Sequence, residues 1–374
     1  MKNFASPNIA SLLGIDNPLL RWMLWFVPLC FMAEWRGFDP LLVFLVSGLA
    51  IVPLAAMIAH ATENIAGTVG PSVGGLLNAT FGNATEMVIS IVALSAGLVD
   101  VVKASITGTV IANLLLALGA GMFLGGLKHP EQEFKSRVAR INASSLNLAL
   151  VVMLTPSAIH YTSRGLHPSL IDHFSLVAAG LLLGFYVLSL LFSMKTHRYF
   201  YETNLNGENG SAAVAIGGAG HHAPIGKQVA LLLAASVVLV FVSEVLVASL
   251  ESAIKTLGLT QLFTGVILIP LFGGVVEYIA VITFARKNKM DLAVSVAMGS
   301  SLQIAMFVAP ILVFAGQLMG QPMNLEFEPF ELMAVAMAVM ITNSISTDGR
   351  SNWLEGVLLL VTYGIVAAAF YFHP

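Results

Sequence analysis

Glu86 and Glu277 are carboxylates inside long apolar stretches, and each closes a glycine-containing pentad: Gly82-Asn83-Ala84-Thr85-Glu86 and Gly273-Gly274-Val275-Val276-Glu277. The spacing recurs downstream. Glu86 precedes the glycine of Gly108-Thr109 by 22 residues, and Glu277 precedes that of Gly299-Ser300 by the same 22. A carboxylate deep in a bilayer costs at least about 2.5–3.5 kcal/mol, so two at matched positions need a common reason. Paired carboxylates neutralise a divalent cation; hard oxygen ligands suit Ca²⁺, with carbonyls and water completing about six to eight contacts. Gly82, and Gly273 after Pro270, let each helix open locally and turn carbonyl oxygens toward an ion. The alternative makes both glutamates protonated packing groups. Asn78, Thr80, Asn83 and Thr85 crowd the same helix as Glu86, more polarity than a packing helix needs.

The same pair supplies proton coupling. Two carboxylates in one desolvated space cannot both stay ionised when it is empty, so the empty site takes up protons and a cation displaces them. Exchange follows when the empty, unprotonated form cannot reorient.

Positioning such a site requires a membrane scaffold. Of 374 residues 57% are apolar and 10% charged, where a soluble domain carries about 25% charged residues. The net charge of −3 and the lack of a basic, aromatic-interleaved run exclude a nucleic-acid partner. One cysteine, Cys30, excludes an intramolecular disulfide. Runs of roughly 20 apolar residues span a bilayer as helices. Eleven are expected, near 18–33, 40–60, 72–98, 104–126, 141–160, 169–194, 228–250, 260–285, 290–316, 328–346 and 353–372. The first is short and carries Arg21, but Glu34, Trp35 and Arg36 follow it where a signal peptide needs small cleavage-site residues, so it reads as a retained helix.

The expected organisation is an all-α polytopic membrane protein. An N-terminal segment and first helix (1–38) precede a five-helix repeat (39–195), a flexible cytoplasmic linker (196–226) and a second, inverted five-helix repeat (227–374). The linker contains Asn206-Gly207, Asn209-Gly210, Gly217-Gly218 and His221-His222. Alternating the loops puts thirteen Lys/Arg on one side and only Arg36, Lys103, Arg164 and Lys255 on the other. That bias implies a cytoplasmic N-terminus. Inverted repeats bind substrate near the midplane where the halves meet, beside broken helices. The short N-terminus leads to the expectation of a prokaryotic plasma membrane.

The stretch Gly75-Leu-Leu-Asn-Ala-Thr-Phe-Gly-Asn-Ala-Thr-Glu86 and the stretch from Lys289 through Met-Gly-Ser-Ser-Leu-Gln-Ile to Ala305 resemble the paired signature regions of the calcium/proton exchanger (CAX) family, within the cation/Ca²⁺ exchanger superfamily. The resemblance extends over the ten helices after the first and implies two inverted five-helix repeats. It puts Glu86 and Glu277 at the metal-binding carboxylates and Gly82 and Gly273 at carbonyl ligands. Asn83, Thr109, Ser300 and Gln303 fall at positions lining the site. Acidic residues in the neighbouring helices, here Glu63, Glu244 and Glu251, are implied in proton or cation access. The chain departs from the pattern at Gly274, where an asparagine is usual, at Tyr278, where a histidine is usual, and at Thr109 and Ala112, where serines are common. Gly274 cannot ligate or brace as an asparagine would and offers only backbone freedom to present carbonyls, so Gly274→Asn is expected to tighten binding.

Other motifs carry less. Gly70-Pro71-Ser72-Val73-Gly74 fits a nucleophile elbow only in a strand-to-helix turn with a His/acid pair, so no enzyme is expected. Gly121 with Gly125 and Gly70 with Gly74 read as helix packing. His60 reads as an interfacial histidine, and no cofactor motif is present. The expectation is therefore a secondary antiporter of Ca²⁺ and H⁺. The rivals are Na⁺, K⁺ or Mn²⁺ exchange on the same fold, and a passive cation channel.

Overall fold

The structure, a computed structural model, describes residues 17–69, 71–162, 168–201 and 224–373. Most of the expected linker, His221-His222 included, lies outside the described residues, as do the Gly70 backbone and the Ser72 side chain.

The chain folds as helices α1 (Pro18–Met23), α2 (Phe26–Trp35), α3 (Pro40–Val69), α4 (Pro71–Phe81) and α5 (Ala84–Ser95). After them come α6 (Val99–Gly126), α7 (Ser136–Thr162), α8 (Ser169–Thr196) and the short α9 (Arg198–Tyr201). The second half holds α10 (Ile225–Leu257), α11 (Gln261–Gly273), α12 (Val275–Arg286), α13 (Met290–Met319), α14 (Pro329–Ile345) and α15 (Trp353–Phe372). A helix satisfies its backbone groups within one segment and without water, which is why these long apolar runs take this form.

Among the described residues seven helices are long and apolar enough to cross a membrane, and counting each of two bent pairs as one span gives nine. Eleven were expected. The first run is divided into α1 and α2 by a break at Leu24-Trp25, and α14, at 17 residues, is shorter than a full span. The chain is a multi-pass membrane protein.

Helix packing follows a reciprocal scheme. α3 packs along α10 and α7 against α14, while α8 lies on the C-terminal half of α13 and α15 on that of α6. α6 and α13 each contain a π-helical segment, Ala112–Ala117 starting three residues after Thr109 and Ile304–Val308 directly after Gln303. Such segments disturb the regular ladder and gather at functional sites. On one face of the molecule a two-residue antiparallel ladder, β1 (Gln132–Glu133) with β2 (Arg350–Ser351), ties the loop after α6 to the loop before α15. Gln132 reinforces it by donating to the Ala285 carbonyl at 2.8 Å.

Candidate cation site

α4 and α5 meet at Gly82-Asn83 with a bend of 42°, and α11 and α12 meet at Gly274 with a bend of 61°. Asn83 (φ −116°) and Gly274 (φ −84°, ψ 9°) leave helical geometry, and each new helix carries its glutamate in the first turn. The first turn is where a helix N-terminus favours negative charge. The two breaks are thus the devices that bring Glu86 and Glu277 inside.

Both carboxylates are buried, Glu86 at 8% exposure and Glu277 at 6%. They lie within electrostatic reach of one another. Both oxygens of Glu86 and Oε2 of Glu277 have no hydrogen-bond partner. Leaving a buried acceptor unmatched costs about 1–3 kcal/mol, more for a charged one, so the arrangement is unfavourable unless water, protons or a cation occupy it. Glu331 shows the contrast. It is a third buried carboxylate, at 2% exposure, but its Oε1 accepts from Thr107 at 2.8 Å and its Oε2 from the Glu328 backbone at 3.0 Å, closing a capping box on α14. Among the described residues no group of three or more His, Cys, Asp or Glu converges, so neutral oxygens must complete any cation shell.

The halves interlock here. A Cβ placed on Gly273 would lie 3.5 Å from Glu86 Cγ, and one on Gly82 would lie 3.3 Å from Gln303 Oε1. Asn83 Nδ2 donates to Gln303 Oε1, and Asn83 Oδ1 accepts from Ser300 Oγ at 2.8 Å. Asn113 Nδ2 in turn donates to Ser300 Oγ at 3.1 Å. Asn113 was not among the expected residues, and its signal was an asparagine inside an otherwise apolar run. Thr109 donates to the Ser105 carbonyl of its own helix at 2.8 Å and lines the cavity that holds Glu86.

The other candidates are not among the residues lining the Glu86 cavity. Glu63 was expected just past a helix ending near residue 60, but α3 continues to Val69, so Glu63 is a half-buried residue inside it. Glu244 and Glu251 lie on the exposed face of α10. His60 pairs with Asn64 at 2.8 Å, one turn away.

The second break is occupied. Tyr278 donates its hydroxyl to the Pro270 carbonyl at 2.8 Å, and that carbonyl also accepts from Gly274 N at 2.9 Å. A Cβ on Gly274 would stand 2.7 Å from the Tyr278 hydroxyl and 2.8 Å from its ring. Gly274 and Tyr278 are therefore one substitution in two parts. This corrects the expectation for Gly274→Asn: the asparagine has no room unless the ring moves.

Space around the site is unequal. Next to Glu86, Ser90, Ser105 and Thr109 the cavity is about 10 Å³, room for about one water. Toward the other membrane face a vestibule of about 570 Å³, lined by Asn78, Asn142, Ser145, Ser189 and Ser295, ends at Gln303.

The sequence profile described as sodium/calcium exchanger protein matches residues 40–195 and again 227–372. The chain belongs to the sodium/calcium exchanger protein family. Within it, this chain is 51% identical over 366 residues to the Ca(2+)/H(+) antiporter of Aphanothece halophytica, covering 96% of this chain and 97% of that one. It is 50% identical to the Ca(2+)/H(+) antiporter of Synechocystis sp., over 94% and 96% of the two chains. The solved structure of native YfkE superposes with a TM-score of 0.80 at 35% identity, covering 95% of this chain and all of that one. These relatives of the exchanger-family chain are transporters, not enzymes, and the likeness to them carries no cofactor.

Proposed function

We propose that the chain is a secondary antiporter that exchanges Ca²⁺ for H⁺ across a membrane, through one midplane site shared by Glu86 and Glu277. The observation that carries the reading is the pair of buried glutamates with unmatched oxygens at two helix breaks, one from each half. The similarity to two Ca(2+)/H(+) antiporters supports Ca²⁺ and H⁺ as the exchanged ions.

The chemistry follows from charge. Two carboxylates balance a divalent ion after it sheds water, with the Gly82 and Gly273 carbonyls and the amide oxygens of Asn83 and Gln303 nearby as neutral donors. Without the ion, protons satisfy the same oxygens, so either occupant permits reorientation and the bare site does not. Reciprocal packing of the halves supports two inverted five-helix repeats around that site. The vestibule opens on the face bearing Lys135, Arg137 and Arg140, which the loop-charge bias makes cytoplasmic, so this conformation is open to the cytoplasm.

Proteoliposomes carrying an imposed pH gradient test the reading: the gradient should drive Ca²⁺ uphill. Uphill Na⁺, K⁺ or Mn²⁺ movement with none of Ca²⁺ would reassign the substrate, and downhill flux indifferent to the gradient would make the protein a channel. Because protons and cation share oxygens, apparent Ca²⁺ affinity should fall as the pH on the open side falls from about 8 to about 5.5. An affinity independent of pH would place protons on a separate path.

A further inference from the structure

Beside the vestibule lies a second cavity, of about 790 Å³, bounded by Arg137, Arg140 and Ser144 of α7, Phe185 and Phe192 of α8, and Tyr199 of α9. Its two ends differ in chemistry. At the membrane-face end the Arg137 guanidinium lies 3.9 Å over the Phe200 ring, and Arg140 donates to the Thr347 carbonyl at 3.4 Å. Among the described residues neither arginine has a carboxylate partner, whereas Arg350 on the same face pairs with Glu131 at 2.7 Å. Toward the membrane interior the wall is apolar, and it continues into the outward faces of α7 and α8, where Val151 is 58% exposed and Leu181 69%. Basic groups above an apolar wall open to lipid match one ligand class, an amphiphile with a phosphate head.

The position bears on transport. The cavity shares Ile141, Ser145, Phe185 and Phe192 with the vestibule, and no carboxylate lines the vestibule. Two arginines at its mouth, without a carboxylate partner among the described residues, repel the divalent cation that must enter. Arginine's planar fork grips phosphate oxygens in pairs, and a bound phosphate cancels that repulsion. Clusters of basic residues between helix ends on the cytoplasmic side are suited to anionic head groups.

We propose that this cavity binds an anionic phospholipid, its phosphate between Arg137 and Arg140 and an acyl chain along Leu148 and Phe185, and that the bound phosphate sets the charge at the mouth of the cation vestibule. The second half rests on the antiporter reading. The first half stands without it.

Native mass spectrometry of the full chain, released from mixed phosphatidylglycerol and phosphatidylcholine, reads the binding. Wild type should retain phosphatidylglycerol selectively, and Arg137→Ala with Arg140→Ala should lower that preference about tenfold. Lys128→Gln with Lys287→Gln removes two charges from the same face away from the cavity, and should leave it unchanged. Should the alanine pair fail to fold, Arg137→Lys with Arg140→Lys keeps charge and loses the fork, and should give an intermediate preference. Equal preference in the wild type and whichever cavity variant folds, or equal loss in the Lys128/Lys287 control, overturns the site in favour of general surface attraction. Millimolar inorganic phosphate should not displace the lipid; displacement would make the site one for free phosphate. In liposomes of stepped phosphatidylglycerol content, wild-type exchange should quicken with the anionic fraction and the alanine pair should not respond. If no variant exchanges ions in any lipid while binding behaves as stated, the antiporter reading fails and the lipid site survives.

Discussion

The two broken helices each carry one buried glutamate in the turn after the break, with different wiring. Asn83, at 1% exposure, reaches across to the other half, donating to Gln303 and accepting from Ser300 at 2.8 Å. Its counterpart Gly274 reaches nothing; Tyr278, from the next turn of its own helix, fills the space and ties back to Pro270 at 2.8 Å. The residues that answer Ser300 and Gln303 in the other half are Thr109, which bonds its own backbone, and Ala112, which has no polar atom to offer. One break is thus held by contacts between halves and the other by a contact across the break itself, within one half. A repeat can therefore keep its two carboxylates equivalent while the groups that brace them diverge.

The largest effect should show where the breaks are alike. Glu86→Gln and Glu277→Gln should each abolish gradient-driven Ca²⁺ exchange in a folded protein, because one carboxylate cannot balance a dehydrated divalent ion. Full transport by either variant in proteoliposomes removes the shared site.

The breaks should part at their centres. Asn83→Ala should weaken Ca²⁺ affinity by about 10–100-fold, as loss of a group bracing metal ligands does. Gln303→Ala should do much the same, and the double variant little more, in a binding cycle. Additive losses would mean that Asn83 and Gln303 act separately. At the other break Gly274→Asn overpacks the site and should cost about 1–3 kcal/mol of stability. Adding Tyr278→His should recover most of that in a melting experiment. If the pair is no better than Gly274→Asn alone, the ring is not what excludes the side chain.

The smallest effect belongs to the Tyr278 hydroxyl. Tyr278→Phe removes one bond from a carbonyl that keeps another, so stability should fall by about 1 kcal/mol while exchange persists. Loss of exchange in this variant would make the phenol part of the ion path.

Much of this was legible beforehand because it is local. Gly82-Asn83 and Pro270 with Gly273-Gly274 mark helix breaks in any context, and a glutamate in an apolar run is costly whatever surrounds it. Helix ends were less legible. Polar residues continue a helix as readily as they end one, so α3 carries Glu63 to Val69 and not to a loop. Which way Glu244 faces was not legible either, since the facing of a residue depends on which neighbours the helix meets.

The sequence by itself determined a multi-pass helical membrane protein with two matched carboxylates, through composition, periodicity and spacing along one chain. Only the tertiary structure decided which groups meet. The Asn83–Gln303 pair spans 220 positions and the Asn113–Ser300 pair 187. The fit of the Tyr278 ring over Gly274 is set by a 61° bend that no residue type encodes alone. Partnership at such separations depends on how helices pack, and packing is a property of all their faces at once.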